Sequence, residues 1–201
     1  MALAPFTVSW DYRCPFARNA HEHLAVALRA GADWDVTFAP FSLSQVHVAE
    51  GDPSVWDTPE KAPDLLALNA GVVVRDRFSD KFLDAHEALF AARHDKSGDI
   101  REESVVREAL ESAGVDADAV FAEIKQSWPD DEVRKTHEWE VDTHHMFGVP
   151  TFISGDRAVF VRLMNRPGDD SALASSTIDR VLDLVDGWPE LNEFKYTTIS
   201  R

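Results

Sequence analysis

The stretch Phe6-Thr7-Val8-Ser9-Trp10-Asp11-Tyr12-Arg13-Cys14-Pro15-Phe16-Ala17 decides how the chain is read. Phe6, Val8 and Trp10 alternate with Thr7 and Ser9, the period of two that turns one aromatic and branched face of a strand toward a core. Pro15 then stands where a helix begins, because proline's missing N–H is not needed in a first turn. Ala17, Ala20, Leu24 and Leu28 share one face of that helix, which runs to Ala30 before Gly31 stops it. Trp34, Val36 and Phe38 alternate again and predict a second strand over 34–39. The first forty residues therefore read as a β-α-β unit.

Beyond Pro40 the pattern changes. Pro53, Pro59 and Pro63 punctuate a loop, and helical periodicity then holds to about Met146. Ser79 is expected to cap a helix carrying Phe82, Leu83, His86, Leu89 and Phe90. Val105, Val106, Ala109 and Leu110 mark another, closed by Gly114. A third starts at Asp116 or Asp118, turns Val120, Phe121, Ile124 and Trp128 inward and ends at Pro129. A fourth runs from Asp130 to Met146. Strand signals return at Pro150-Thr151-Phe152-Ile153, and a Ser154-Gly155-Asp156 turn leads to a strand through Val159, Val161 and Leu163. A last helix over Ser171–Asp186 presents Leu173, Ile178, Leu182 and Val185, and a polar, aromatic tail runs from Trp188 to Arg201. The order is β-α-β, helical insertion, β-β-α: an α/β domain whose core comprises residues 1–50 and 147–201, interrupted by an all-helical subdomain at 51–146.

The chain has 201 residues and a single cysteine. Cys14 alone permits no intrachain disulfide, no cysteine-based zinc cage and no two-cysteine redox centre. Its place at a strand-to-helix junction, facing unpaired N–H groups and the positive end of a helix dipole, is expected to favour the thiolate, which is the nucleophilic form. Arg13 and Arg18 would add positive charge if they turn toward the sulfur.

Cys14-Pro15-Phe16-Ala17 resembles the Cys-Pro-x-Cys motif of the thioredoxin-like superfamily, in its DsbA-like branch with a helical insertion, with Ala17 in place of the second cysteine. Gly148-Val149-Pro150-Thr151-Phe152 resembles that branch's cis-proline loop, with Pro150 in the cis position. The resemblance covers essentially the whole chain. Within the branch it leans toward FrnE-type proteins and mycothiol-dependent reductases, through Thr143-His144-His145 and Phe194-Lys195-Tyr196. Kappa-class glutathione transferases and 2-hydroxychromene-2-carboxylate isomerases are related. The resemblance implies a thioredoxin-like fold, with Val149 offering its backbone to a partner beside Cys14. Cys14, Pro15, Val149 and Pro150 are the site the resemblance implies; Arg13 joins them for the charge it could bring to the thiolate, with Trp10, Arg18, His144 and His145 as further cleft candidates.

Ala17 removes the means to hand over an internal disulfide or to resolve a mixed one. The expected activity is a monothiol exchange in which Cys14 attacks a substrate and a low-molecular-weight thiol, mycothiol or glutathione, completes the cycle as co-substrate with no tightly bound cofactor. A thiol-dependent transferase or isomerase, and a non-catalytic ligand-binding member, are the alternatives. His21 and His23 are close in sequence, and Glu140 and His144 are four apart on one helix, but neither pair has the density of a metal signature, so no metal is expected.

Lys and Arg number 20 against 36 Asp and Glu, a net charge of −16. Nucleic acid and anionic membranes require clustered cations, so both are set aside as partners in favour of a small-molecule or thiol/disulfide substrate. Met1-Ala2-Leu3-Ala4-Pro5 has no basic start followed by an apolar run, and no stretch approaches the ~18 apolar residues that span a bilayer. The expected compartment is the cytoplasm and the expected state a monomer or homodimer.

Overall fold

The computed structural model describes residues 5–196, so Met1–Ala4 and the last five residues of the tail lie outside the described residues. In chain order the elements are β1 (Phe6–Trp10), α1 (Pro15–Arg29), β2 (Val36–Pro40), the short α2 (Leu43–Val46), α3 (Leu66–Arg77), α4 (Phe82–His94), α5 (Glu103–Ser112), α6 (Ala117–Ile124), α7 (Trp128–His144), β3 (Thr151–Ser154), β4 (Arg157–Phe160) and α8 (Ser171–Gly187). One sheet has the strand order β2-β1-β3-β4. β1 runs parallel to β2 and antiparallel to β3, and β3 antiparallel to β4. A parallel pair needs a crossover, which α1 supplies. The class is α/β, as the sequence implies.

α1 and α8 cover one face of the sheet, where Phe6, Val8 and Phe152 meet Ala20, Leu24, Ile178 and Leu182 in a closed apolar cluster. A larger cluster joins the insertion helices to the Cys14 end of β1 through Trp10, Tyr12, Phe41, Leu68, Leu89 and Phe90. Most of α3 is buried from Ala67 to Val74. A helix buried all round has no amphipathic stripe, which is why periodicity does not single it out.

Several boundaries differ from the expectations. The turn between β3 and β4 is only Gly155-Asp156, with Gly155 at φ +59°, so pairing restarts at Ser154↔Arg157 and β4 ends at Phe160 rather than running to Leu163. β2 begins at Val36, not at Trp34. Ser79 caps nothing; it opens a 3-10 turn that leads into α4. α6 ends at Ile124, and Pro129 lies in the first turn of α7 after a left-handed Ser127, so that proline begins a helix instead of ending one. Leu173 is exposed, and Ala174 and Val181 join Ile178, Leu182 and Val185 on the buried face of α8.

A chain of polar side chains crosses the larger core. Tyr12 Oη lies 2.8 Å from His86 Nδ1, His86 Nε2 2.9 Å from His21 Nδ1, and His21 Nε2 3.0 Å from the Ser9 carbonyl. A carbonyl can only accept, so neutral His21 donates to Ser9; its Nδ1 must then accept from His86, whose Nδ1 accepts from the Tyr12 hydroxyl. Burial holds His21 down to about 4 and lowers His86 as well, which keeps both rings neutral. The chain ties β1 and α1 of the sheet unit to α4 of the insertion. α3 closes over it at Gly71, where an added Cβ would sit 2.4 Å from Tyr12 Oη.

Gly71→Ala should therefore push Tyr12 off His86 and lower stability by about 1–3 kcal/mol, measured by urea unfolding; an unchanged midpoint would contradict the contact. Because His21 and His137 are both held down to about 4, the unfolded chain, with histidines near 6.5, binds the extra protons. Stability from these groups is full above about pH 6.5 and falls as pH drops toward 4, where the loss levels off. Urea midpoints at pH 7, 5.5 and 4.5 should decrease in that order.

Candidate active site

Cys14 is the N-cap of α1, with extended backbone dihedrals. Its Sγ accepts the Ala17 N–H at 3.4 Å and its S–H donates to the Val149 carbonyl at 3.2 Å. The Val149-Pro150 peptide bond is cis. Residues 135 apart in sequence thus meet at one sulfur.

Two elements set this geometry. On the cysteine side, Asp11 is buried and its carboxylate accepts the Arg13 N–H and the Leu43 N–H, both at 2.8 Å, while its carbonyl accepts the Cys14 N–H at 3.0 Å. That clamp fixes the β1–α1 turn against the start of α2. On the proline side, Thr151 N–H donates to Ser9 Oγ at 2.9 Å, and Ser9 Oγ lies 3.4 Å from the Thr151 carbonyl. The Ser9 side chain extends the β1–β3 pairing one step past its last backbone register, Val8↔Phe152. Thr151 Oγ1 donates to Gly148 O at 2.8 Å, and Val161 N–H to Pro150 O at 3.0 Å, so the loop is held from both flanks.

The electrostatics run against the sequence expectation. Cys14 is buried, and burial pushes its thiol above the usual range; the Ala17 and Phe16 N–H groups pull it down, the Asp11 charge pushes it up and Arg162 pulls it down. Desolvation outweighs the helix start. The Val149 carbonyl works in the same direction, since an S–H donated to an acceptor stabilises the neutral form. Nor do the expected arginines turn to the sulfur. Arg13 donates to Ser44 Oγ, and Arg18 pairs with Asp95 at 2.6 Å and lies 3.9 Å from Glu22. The nearby cation is Arg162, just past β4, its guanidinium 5.1 Å from the centre of the Phe16 ring.

Trp10 is not a cleft residue: it is fully buried among Tyr12, Phe82 and His86. His144 sits 3.9 Å from Glu140 on α7, and His145 is the left-handed C-cap of that helix; neither is joined to Cys14 by a hydrogen bond. Among the described residues no three His, Cys, Asp or Glu side chains gather as a metal site. The exposed Phe147, just before the proline loop, and the half-buried Phe160, the last residue of β4, pack ring to ring at 5.3 Å. Arg13, next to Cys14 in the chain, borders a cavity of about 340 Å³ with Ser44, His47, Val55, Lys61 and Asp64. Sequence reasoning missed Ser9, Asp11, Thr151 and Arg162. Asp11 and Ser9 carry a signal only in hindsight of the fold, as polar residues at the end of an apolar strand; Arg162 carries none.

Iodoacetamide alkylation of Cys14 against pH should show an inflection above that of a free cysteine, about 8.5. Asp11→Asn, which removes the like charge, should move it down. An inflection below about 7.5 in the unsubstituted protein would overturn the dominance of burial.

Comparison with known proteins places this geometry. A search of curated proteins returns no match. Solved structures match along most of their length: reduced DsbA1 from Neisseria meningitidis, with TM-score 0.60, 18% identity, and 91% of this chain and 84% of that chain covered; BdbD from Bacillus subtilis, with 0.58, 18%, 90% and 89%; and a thioredoxin-like oxidoreductase from Silicibacter pomeroyi, with 0.55, 18%, 90% and 87%. At such identities these show a shared fold. The family model described as DSBA-like thioredoxin domain matches residues 7–165, which takes in both Cys14 and the cis-proline loop. With that span of match laid over this sheet order and its helical insertion, the chain belongs to the DsbA-like thioredoxin domain family.

Proposed function

We propose that the chain is a monothiol thiol–disulfide oxidoreductase with Cys14 as its nucleophile. The observation that carries the reading is the placement of one sulfur at the head of α1, 3.2 Å from the carbonyl that precedes a cis-proline, in a family of thioredoxin domains. Ala17 stands where a resolving cysteine would be, and is fully buried.

The chemistry follows from those contacts. A partner that brings an N–H to the Val149 carbonyl competes with the Cys14 S–H for the same acceptor. Losing that bond removes one reason for the thiol to stay protonated, and its proton passes to solvent. The thiolate attacks one sulfur of the substrate disulfide; a Cys14–sulfur bond forms, the substrate S–S bond breaks, and the departing sulfur leaves with the electron pair as a thiolate. A low-molecular-weight thiol, mycothiol or glutathione, then attacks the mixed disulfide and frees Cys14. That attack falls on the substrate sulfur, so the first turnover exchanges the substrate disulfide for one between substrate and small thiol; a second molecule of the thiol, by the same two steps, releases the remaining substrate sulfur as a thiol and leaves the two small thiols joined in a disulfide. The 340 Å³ cavity beside Arg13 supports a small-molecule partner. A reducing cytoplasm would supply the thiol. No helix among the described residues is long and apolar enough to cross a membrane.

One observation favours a second reading. A protonated S–H at a helix start, donating to a carbonyl, is a geometry a serine hydroxyl can copy, as in an enzyme of the kappa-transferase or hydroxychromene-isomerase kind where the bound thiol reacts and residue 14 orients it. Cys14→Ser separates the two: reductase activity through a mixed disulfide should vanish, whereas a transferase or isomerase should retain measurable turnover.

Intact-mass measurement after incubation with glutathione disulfide or mycothiol disulfide should show one adduct on Cys14 and none on Cys14→Ser; no adduct from either would sink the nucleophile reading. Ala17→Cys should restore a resolving sulfur, so that the adduct is released without added thiol. An adduct as persistent as in the unsubstituted protein would mean that residue 17 cannot reach the Cys14 sulfur.

A further inference from the structure

The cations around Cys14 are not equivalent. Arg13 is tied to Ser44, while Arg18 and Arg166 are locked in a shared cluster with Glu22 and Asp95, Arg166 at 2.6 Å and 3.2 Å from those carboxylates. Arg162 differs. No carboxylate among the described residues lies within ion-pair distance of it, it is exposed, and its guanidinium lies over Phe16, two residues after Cys14. It follows Val161, whose N–H holds the Pro150 carbonyl, so one short segment both pins the proline loop and presents the charge.

We propose that Arg162 is an anion-docking residue and that the disulfide exchanged at Cys14 is a small molecule carrying a carboxylate close to its sulfur. This rests on the reading of Cys14 as nucleophile. A guanidinium stacked on an aromatic face keeps its N–H edges free, and those edges match a carboxylate in two parallel hydrogen bonds. The chain carries a net charge of −16, so an anion approaching most of its surface is repelled. An unpaired arginine beside the sulfur gives such a substrate a local well, and orients it for attack. The same charge also favours the Cys14 thiolate.

The exchange balances as written above: the thiolate forms a bond to the nearer substrate sulfur, and the other sulfur leaves as the carboxylate-bearing thiolate. A second effect of Arg162, on the thiolate alone, would speed reaction with every disulfide alike. Substrate charge distinguishes the two.

The test uses the full chain, pre-reduced, and three disulfides: dithiobisnitrobenzoate, which is anionic, dithiodipyridine, which is neutral, and cystamine, which is cationic. Second-order rates are taken at low and high salt for the unsubstituted protein, Arg162→Gln and Arg162→Lys, with Arg134→Gln on α7, where Arg134 pairs with Glu138 at 2.8 Å, as a control for net charge. Dividing by the neutral-disulfide rate cancels any change in thiolate fraction. Arg162→Gln should lower the anionic-to-neutral ratio by roughly threefold to tenfold and raise the cationic-to-neutral ratio. Arg162→Lys should recover part of the ratio, salt should compress the preference of the unsubstituted protein, and Arg134→Gln should leave it in place. An anionic-to-neutral ratio unchanged in Arg162→Gln overturns the proposal while leaving Cys14 as nucleophile. Failure of all three disulfides to react overturns the nucleophile reading, and the docking role with it.

Discussion

The pairing of β1 with β3 is the interaction on which the rest depends. The chain leaves the sheet after β2, builds five longer helices, and returns only at Thr151. What rejoins the halves is a three-residue antiparallel register, Phe6↔Ser154 to Val8↔Phe152, lengthened by the Ser9 hydroxyl reaching Thr151. Remove that step and the Cys14 end of β1 is no longer registered against the Val149-Pro150 loop. The insertion is held to the same strand by other means, a neutral hydrogen-bonded line from Ser9 through His21 and His86 to Tyr12. β1 therefore spaces the sulfur from both of its neighbours. Its polar residues do so at the cost of burying groups that must all be paired.

The resulting site holds its sulfur as a thiol. A helix start offers N–H groups to Cys14, but it offers them inside an apolar shell with a carboxylate three residues upstream and a carbonyl in front. Desolvation falls on the charged form and is largest where water is excluded, whereas the helix start acts through partial charges. Position at a helix N-terminus is thus insufficient to predict a reactive thiolate. The approach of a partner changes this balance by competing for the Val149 carbonyl, so that ionisation and binding are coupled.

Much of the fold was legible because it is written in short-range patterns. Phe6, Val8 and Trp10 announce a strand by alternation, Pro15 and Gly31 bracket α1, and Gly155 marks a hairpin turn. α3 was not legible, because a helix buried on all sides loses the stripe that periodicity detects. Pro129 was read as a stop and acts as a start, since the same residue suits either place and only the left-handed Ser127 before it decides. At the site, Cys14 could be singled out by its place before Pro15, and Val149 and Pro150 by the resemblance of their loop to a family motif. Arg162 could not, because nothing near it in the chain says that Phe16 and the proline loop lie beside it.

Resemblance to a family loop is what set Pro150 opposite Cys14; by itself the sequence determined an α/β chain with a helical interruption and a lone cysteine at a strand-to-helix junction. These are consequences of local periodicity, of proline's fixed φ and of glycine's freedom, each acting over a few residues. The tertiary structure alone decided whether the cysteine is charged, which arginine serves it and which are spent on Glu22, Asp95 and Ser44, and how the tautomers of two buried histidines are set. Those depend on desolvation and on partners tens of residues away, and such partners exist only once the chain has closed on itself.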